Sequence, residues 1–372
     1  DRILPRGILS IASFLEIRGY PTEVIPLAYY LNFRNDWSYQ DIEKILDDFI
    51  RLNEPVAIGV SCQITAYYPI CVEILKICKQ LRDDIVTVIG GPFATFMDKE
   101  CITSPFIDVV VRGEGEWTML ELMSSVERKT ELHKVNGITF KDKNEIFQTP
   151  DRILGDLNEL PNLNFGILPF EFVQKAEVYG MLSRGCAFHC SFCSESIFWK
   201  KLRTFSSEIF IQEIKLLYRT YKNYMAAIGD SMVYIGSERF SEVCAEIKKQ
   251  KIPVRPDFHA LSRVDTINEQ GLNDIRETGI QTVCMGIESG SPKVLKMMNK
   301  KISREQIIST CGKLRENNLK PLGFWMIGHP GDNPEEAECS FEFFRELLQK
   351  ELLWAAHVCI FDPDVGTPFF QQ

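Results

Sequence analysis

From residue 177 onward one pattern repeats, a short apolar run followed by an amphipathic helix. The runs are "EVYGMLS", "YMAAIGD", "VRPDFHALS", "TVCMGIES", "LGFWMIG" and "AHVCIFD", and the helices between them are expected at about 206–222, 237–250, 266–278, 303–317 and 335–349. The last helix opens with Asn333 as N-cap, Pro334 at the first helical position and Glu336 in the first turn, residue types that suit a helix start. Strands alternating with helices form parallel βα units. Six units make most of a barrel without closing it, since closure takes eight. The expected fold of 177–372 is a partial (β/α)6 TIM-like barrel.

The first 150 residues read as α/β too, a doubly wound, Rossmann-like parallel sheet domain. Helices are expected over 7–18, 40–51, 67–82, near 95–101 and from Trp117, and strands at "TEVIPL", "PVAIGVSC", "IVTVIGG" and "FIDVVVRG". "PVAIGVSC" is an unbroken apolar run of strand length, as a strand covered on both faces requires. The pattern also anticipates a strand before Asp1. Residues 126–176 are more polar; "VNGITFKDKNEIFQT" reads as a hairpin turning at Asp142–Asn144, and 151–176 as a connector. The expected domains are 1–150 and 177–372, the second read as cut short after Gln372.

Bulk composition removes several classes of function. The chain has 372 residues and a formal net charge of −9, which argues against a nucleic-acid binder working through a broad basic face. No stretch of about 18 uncharged apolar residues occurs, so no membrane span is expected, and no signal peptide is read near the start. Of twelve cysteines, Cys62, Cys71, Cys78, Cys101, Cys244, Cys284, Cys311, Cys339 and Cys359 lie in apolar contexts and are expected to be buried. The expected setting is a reduced cytoplasm.

The remaining three cysteines stand apart. "RGCAFHCSFCSES" (184–196) places Cys186, Cys190 and Cys193 in a C-x3-C-x2-C array just after the first barrel strand, with Glu195 following. Barrel enzymes carry their chemistry at that strand end. Spacings this short let one loop wrap its sulfurs around a compact metal centre. Iron–sulfur clusters are normally held by four thiolates, so three leave one iron open. The competing reading is a zinc knuckle, with His189 or a distant cysteine as fourth ligand. His189 adjoins Cys190, a poor place from which to close a tetrahedron, and zinc spacings usually come as two separated pairs.

On these residues the chain resembles the radical SAM superfamily, whose C-x3-C-x-aromatic-C hallmark is matched by Cys186, Cys190, Phe192 and Cys193; the resemblance runs across 177–372. It implies a [4Fe-4S] cluster on the three cysteines and S-adenosyl-L-methionine (SAM) chelating the open iron. An electron from the reduced cluster then breaks the sulfonium C–S bond and yields a 5′-deoxyadenosyl radical, while the barrel positions the cofactor and excludes water. By the same resemblance, "IGDS" puts Asp230 at the methionine amino group, although many members have Gly-Gly-Glu there. "GIESGS" puts Glu288 at the ribose, "FWMIGHPGD" puts Ile327 at the adenine, and "PDVGTPFF" matches a turn often found after the sixth strand. Each has a plainer alternative: Asp230 as a helix cap, Glu288 as an ion-pair partner, Gly328–Gly331 as a turn.

The strand ends of the front domain carry "GVSCQIT" (59–65), "IGGPFAT" (89–95) and "VRGEGE" (111–116). Ligands of doubly wound sheets bind outside such ends, and small and hydroxyl residues there admit a large planar or nucleotide-bearing ligand. No G-x-G-x-x-G or Walker pattern is present, which disfavours a dinucleotide or triphosphate. "GGP" followed by "DVVVRGEGE" resembles the cobalamin-binding domain found ahead of the barrel in cobalamin-dependent radical SAM enzymes. The resemblance implies cobalamin against Ser61, Gln63, Thr65, Gly90, Gly91, Gly113 and Glu114. The D-x-H-x-x-G string whose histidine ligates cobalt in other cobalamin proteins is missing here; "DFHALS" (257–262) lacks the glycine and lies in the barrel. Cobalamin is therefore expected base-off, with no histidine of this domain on cobalt.

The activity this resemblance implies is methyl transfer to an unactivated carbon of a small-molecule or peptide substrate, with an external electron donor of flavodoxin or ferredoxin type. The alternatives are a non-methylating cyclisation or ring rearrangement, a methylthiolation and a non-enzymatic corrinoid carrier. Methylthiolation is weakened because no second cluster-binding cysteine trio is read in the front domain. Among the histidines, His133 and His189 read as loop residues and His357 as a strand residue. His259 and His329 read as strand-end residues near substrate, and Trp325 as core.

Overall fold

The apolar runs of the first half become strands with helices on both faces. The computed structural model describes residues 2–143, 145–255 and 258–370, and contacts divide the chain into two units, Asp1–Lys175 and Ala176–Gln372. In the first unit β1 (Ala57–Ser61), β2 (Val86–Gly90) and β3 (Val109–Val111) run parallel in that order. Val88 lies opposite Gly59, so Ile58 and Val60 point to the other face. Helices Arg6–Glu16 and Gly115–Arg128 cover the Val88 side through Leu15, Leu122 and Met123. Helices Tyr39–Asn53 and Tyr68–Leu81 cover the Ile58 side through Ile42, Leu46, Ile74 and Ile77.

Three details depart from the sequence reading. "TEVIPL" forms no strand; Pro21 precedes it and Pro26 lies within it, and proline donates nothing to a ladder. The helix expected near 95–101 is two short ones, Pro92–Phe96 and Asp98–Cys101. The expected hairpin is β4 (Ile138–Asp142) and β5 (Glu145–Gln148), and it joins the sheet antiparallel to β3, so that edge is mixed. Its turn residue Asn144 lies outside the described residues, as does Asp257 of "DFHALS". Residues 151–175 pack within the first unit and end in helix Phe170–Lys175.

In the second unit, all six apolar runs become strands of one parallel sheet. In chain order the strands are β6 (Val178–Gly180), β7 (Ser183–Arg184), β8 (Arg203–Thr204), β9 (Met225–Ile228), β10 (His259–Ser262), β11 (Thr282–Glu288), β12 (Lys320–Ile327) and β13 (Ala355–Ile360). The sheet order is β13-β12-β11-β10-β9-β6, leaving β6 and β13 as edges, while β7 and β8 form a separate antiparallel pair. The crossover helices are Ser207–Leu216, Glu238–Lys249, Glu269–Thr278, Arg304–Glu316 and Pro334–Gln349. The β7–β8 pair and helix Pro292–Met297 are too short for hydrophobic periodicity to reveal. Seven of the nine scattered cysteines are buried; Cys339 is half-buried, and Cys359 is exposed on the edge strand β13. Among the described residues no helix is long and apolar enough to cross a membrane.

Gly91 shows that a small residue can serve the chain itself. At φ +94°, a Cβ there would sit 2.5 Å from the Cys62 carbonyl oxygen and 2.9 Å from Ser61 Oγ, whereas one at Gly113 (φ +71°) would meet nothing within 4 Å. Gly91→Ala is therefore expected to cost about 3 kcal/mol, and Gly113→Ala only the ~1 kcal/mol of a left-handed non-glycine residue. Scanning calorimetry of the two variants checks the order.

Candidate active site

The cysteine loop is fixed at its root before it reaches a thiol. β6 ends at Gly180, and Asp230, just beyond β9, catches the departing chain. Asp230 Oδ1 accepts from Leu182 N at 2.7 Å and Oδ2 from Ser183 Oγ at 2.5 Å, in a site 4% exposed. β7 and β8 then close a neck. Gly185 (φ +92°) runs so near Lys201 that a Cβ would lie 2.6 Å from its carbonyl oxygen, so only glycine fits.

Within this neck, the loop is held by its peptide groups and one hydroxyl. Ser191 N and Oγ donate to the Met298 and Met297 carbonyls, both at 3.0 Å, and Asn299 Nδ2 donates to His189 O at 2.6 Å. Ala187 N donates to the Tyr234 hydroxyl at 3.0 Å, and the Phe188 ring stacks on Tyr234. Cys186, Cys190 and Cys193 are left as half-buried thiols. Burial pushes the Cys193 thiol up to about 12 and raises Cys186, with charge on the neighbouring cysteines adding to both. The three thus lie within range of one another's charge. Yet among the described residues no three His, Cys, Asp or Glu side chains gather tightly enough for one metal ion. In a cluster each thiolate is carried by its own iron, so the donor type of these three residues is the one a cluster needs.

Behind the loop lie two buried cations absent from the sequence reading. Arg263, directly after β10, is 4% exposed. Its Nε and Nη2 donate to Asp265 Oδ1 and Oδ2 at 2.9 and 3.1 Å, and Nη2 also donates to Lys300 O at 2.5 Å. Its Nη1 lies 3.5 Å from Cys190 Sγ, and its Cζ sits 3.9 Å from the Phe188 ring centroid. Lys300 Nζ donates to Glu288 Oε1 at 2.8 Å, with both side chains at most 10% exposed. The ammonium lies 5.6 Å from the centroid of Phe192. Glu288 ends β11 at φ +67°, a conformation rarely held outside functional or turn positions. Gly286 makes room for this pair, since a Cβ there would meet Glu288 Oε1 at 2.3 Å and Lys300 Nζ at 2.7 Å.

The other predicted positions divide. Ile327 ends β12, and its carbonyl accepts from Phe361 N at 2.8 Å. Glu195 Oε2 accepts from Trp199 Nε1 at 2.8 Å and from the Ser231 hydroxyl. His329 is packed between Phe361 and Phe369, and burial lowers its pKa. His259 is the first residue of β10, at the end remote from Arg263. His357 packs on Phe324.

In the first unit the strand ends form one crest. Ser61 pairs with Gly90 in register. Gln63 Nε2 donates to Ser61 Oγ at 2.9 Å, Thr65 opens the turn Thr65–Tyr67, and Gly113 N donates to Thr95 Oγ1 at 2.9 Å. Glu114 is buried at the start of helix Gly115–Arg128. Hydroxyl and amide groups beside the open space at Gly113 suit the flat, amide-rimmed periphery of a corrin. Gly91 contributes no such room, because the Cys62 carbonyl takes it.

Comparison with known proteins matches residues 2–123 to the B12-binding domain model and residues 181–344 to the radical SAM superfamily model. An uncharacterized methyltransferase of Pyrococcus horikoshii is 32% identical over 321 residues, 84% of this chain and 68% of that protein. The anaerobic magnesium-protoporphyrin IX monomethyl ester cyclase of Rubrivivax gelatinosus is 28% identical over 95% of this chain and 64% of its own length. The chain thus spans about two thirds of these relatives. The solved structure of the radical S-adenosylmethionine methyltransferase TsrM from Kitasatospora setae, with tryptophan and a SAM analogue, aligns over 96% of this chain and 70% of that one, with a TM-score of 0.78 at 17% identity.

The buried pair and the thiols make separable expectations. Glu288→Ala strands the Lys300 ammonium and is expected to lower stability by about 3–5 kcal/mol, most of it recovered in the Glu288→Gln/Lys300→Met double variant; thermal unfolding reads both. Replacing Cys186, Cys190 and Cys193 together by Ala should abolish iron and sulfide retention after anaerobic reconstitution, while Cys244→Ala keeps both.

Proposed function

We propose that this chain, which belongs to the cobalamin-dependent radical SAM family, is a methyltransferase that places a methyl group on an unactivated carbon of a small-molecule or peptide substrate. The observation that carries the reading is the pairing, on one chain, of a B12-binding match over 2–123 with three half-buried thiols at the rim of a six-stranded parallel sheet. The methyltransferase of Pyrococcus horikoshii supports the finer assignment. When bound, the [4Fe-4S] cluster and SAM supply a 5′-deoxyadenosyl radical that takes a hydrogen atom from the substrate, and cobalamin supplies the methyl group that replaces it.

In this reading each named residue does one thing. Cys186, Cys190 and Cys193 hold three irons. Asp230, just beyond β9, accepts from the methionine amino group. Glu288, its charge balanced by Lys300, accepts from the ribose hydroxyls. Phe192 and the Ile327 segment present apolar surface and backbone to the rest of SAM. Ser61, Gln63, Thr65, Gly90, Gly113 and Glu114 hold the corrin, and Gly91 keeps the strand ends close enough to do so. Electrons come from a flavodoxin- or ferredoxin-type donor in a reduced, cytoplasmic setting. The cyclase of Rubrivivax gelatinosus, matched over 95% of this chain, favours a second reading in which the same cofactors drive a cyclisation.

SAM labelled in its methyl group separates the two. Anaerobically reconstituted protein under reducing conditions is expected to move the label onto its corrinoid and release S-adenosylhomocysteine. A corrinoid that stays unlabelled while 5′-deoxyadenosine accumulates would favour cyclisation instead. Cobalt ligation is a further check. The sequence has no histidine before His133, and His133 packs on Phe140 and Phe147 with Nε2 3.5 Å from Asp142. Electron paramagnetic resonance of the cob(II)alamin form is therefore expected to show no nitrogen superhyperfine splitting.

A further inference from the structure

We propose that Arg263 is a positioning residue that sets the reduction potential of the cluster through a hydrogen bond to the Cys190 sulfur. The inference rests on the reading of Cys186, Cys190 and Cys193 as cluster ligands. Four contacts from separate parts of the fold define the guanidinium plane. Asp265 takes Nε and Nη2, the Lys300 carbonyl takes Nη2 as well, and the Phe188 ring lies 3.9 Å from Cζ. These leave Nη1 aimed at Cys190 Sγ, 3.5 Å away. A guanidinium is always charged and its donor fork is rigid, so the N–H direction is preset.

The electrostatic consequence has a definite sign. Reduction adds an electron whose charge spreads onto the ligand sulfurs. Hydrogen bonds to those sulfurs, burial and net charge are what set cluster potentials. An N–H donor and a positive charge beside Cys190, screened from water, stabilise the reduced form and raise the potential. Asp265 opposes this, because its carboxylate cancels part of the cation's field. The two residues of one ion pair therefore push the potential in opposite directions, whereas a purely mechanical brace would give both losses the same effect.

The test is a redox titration of reconstituted, SAM-free protein, followed by electron paramagnetic resonance, with iron and sulfide content measured on each sample. Arg263→Leu is expected to lower the equilibrium constant for cluster reduction about tenfold, a shift of ~59 mV to more negative potential for one electron. Arg263→Gln, which keeps donors but no charge, should fall between, and Asp265→Asn should shift the potential upward. Should Arg263→Leu assemble poorly, the opposed directions of Arg263→Gln and Asp265→Asn carry the same decision. Equal potentials in fully loaded variants, or shifts of one sign in all, overturn the proposal and leave Arg263 a brace. A wild-type protein that retains no iron on these cysteines, or whose reduced cluster forms no 5′-deoxyadenosine with SAM, overturns the cluster reading itself, a result distinct from an unshifted potential.

Discussion

A charge taken out of water must be matched, and the rim of the second unit is organised by two such matches. Lys300 and Glu288 are both buried, and Arg263 is buried while its partner Asp265 keeps part of its side chain in solvent. Removing one partner of such a pair is far more costly than the pair is stabilising, so neither can be dissolved cheaply. Their residues come from the end of β10, the end of β11 and the segment after helix Pro292–Met297. The Arg263–Lys300 carbonyl bond ties the two pairs together. The same stretch grips the cysteine loop, Met298 and Asn299 through its peptide backbone and Met297 through the Ser191 hydroxyl. Satisfying the buried charges thus also fixes where the thiols stand.

The architecture was largely legible in the sequence. A strand covered on both faces must be apolar throughout, and a crossover helix must alternate, so all six strands of the second sheet could be read as periodic text. The cysteine array was legible because its spacing is local. What escaped depends on contacts distant in sequence. Arg263 in "SRVDT" and Lys300 in "NKK" look like ordinary surface residues, and only the fold shows them buried against Cys190 and Glu288. Asp230 was noticed for its position at a strand end; that it catches Leu182 and Ser183, 48 and 47 residues earlier, could not be read. "TEVIPL" misled because apolar content was weighed above Pro26 within it and Pro21 before it. Gly91 was read as room for a ligand, though the room is used by the Cys62 carbonyl.

The short neck formed by β7 and β8 has a bearing on how the site comes into being. All three thiols lie between Gly185 and Lys201, inside a stem that pairs Ser183 with Thr204 and Arg184 with Arg203. Closing so small a loop carries little chain entropy. The groups that set its surroundings arrive from far away: Arg263 is 73 residues from Cys190, and Met297 is 106 from Ser191. On the cluster reading proposed above, metal capture would be a local event in the life of the chain, and the environment that makes the metal useful a late, global one. A polypeptide still incomplete in its second half would already hold the cysteine loop, and only completion of β10 and β11 would bring the charges that surround it.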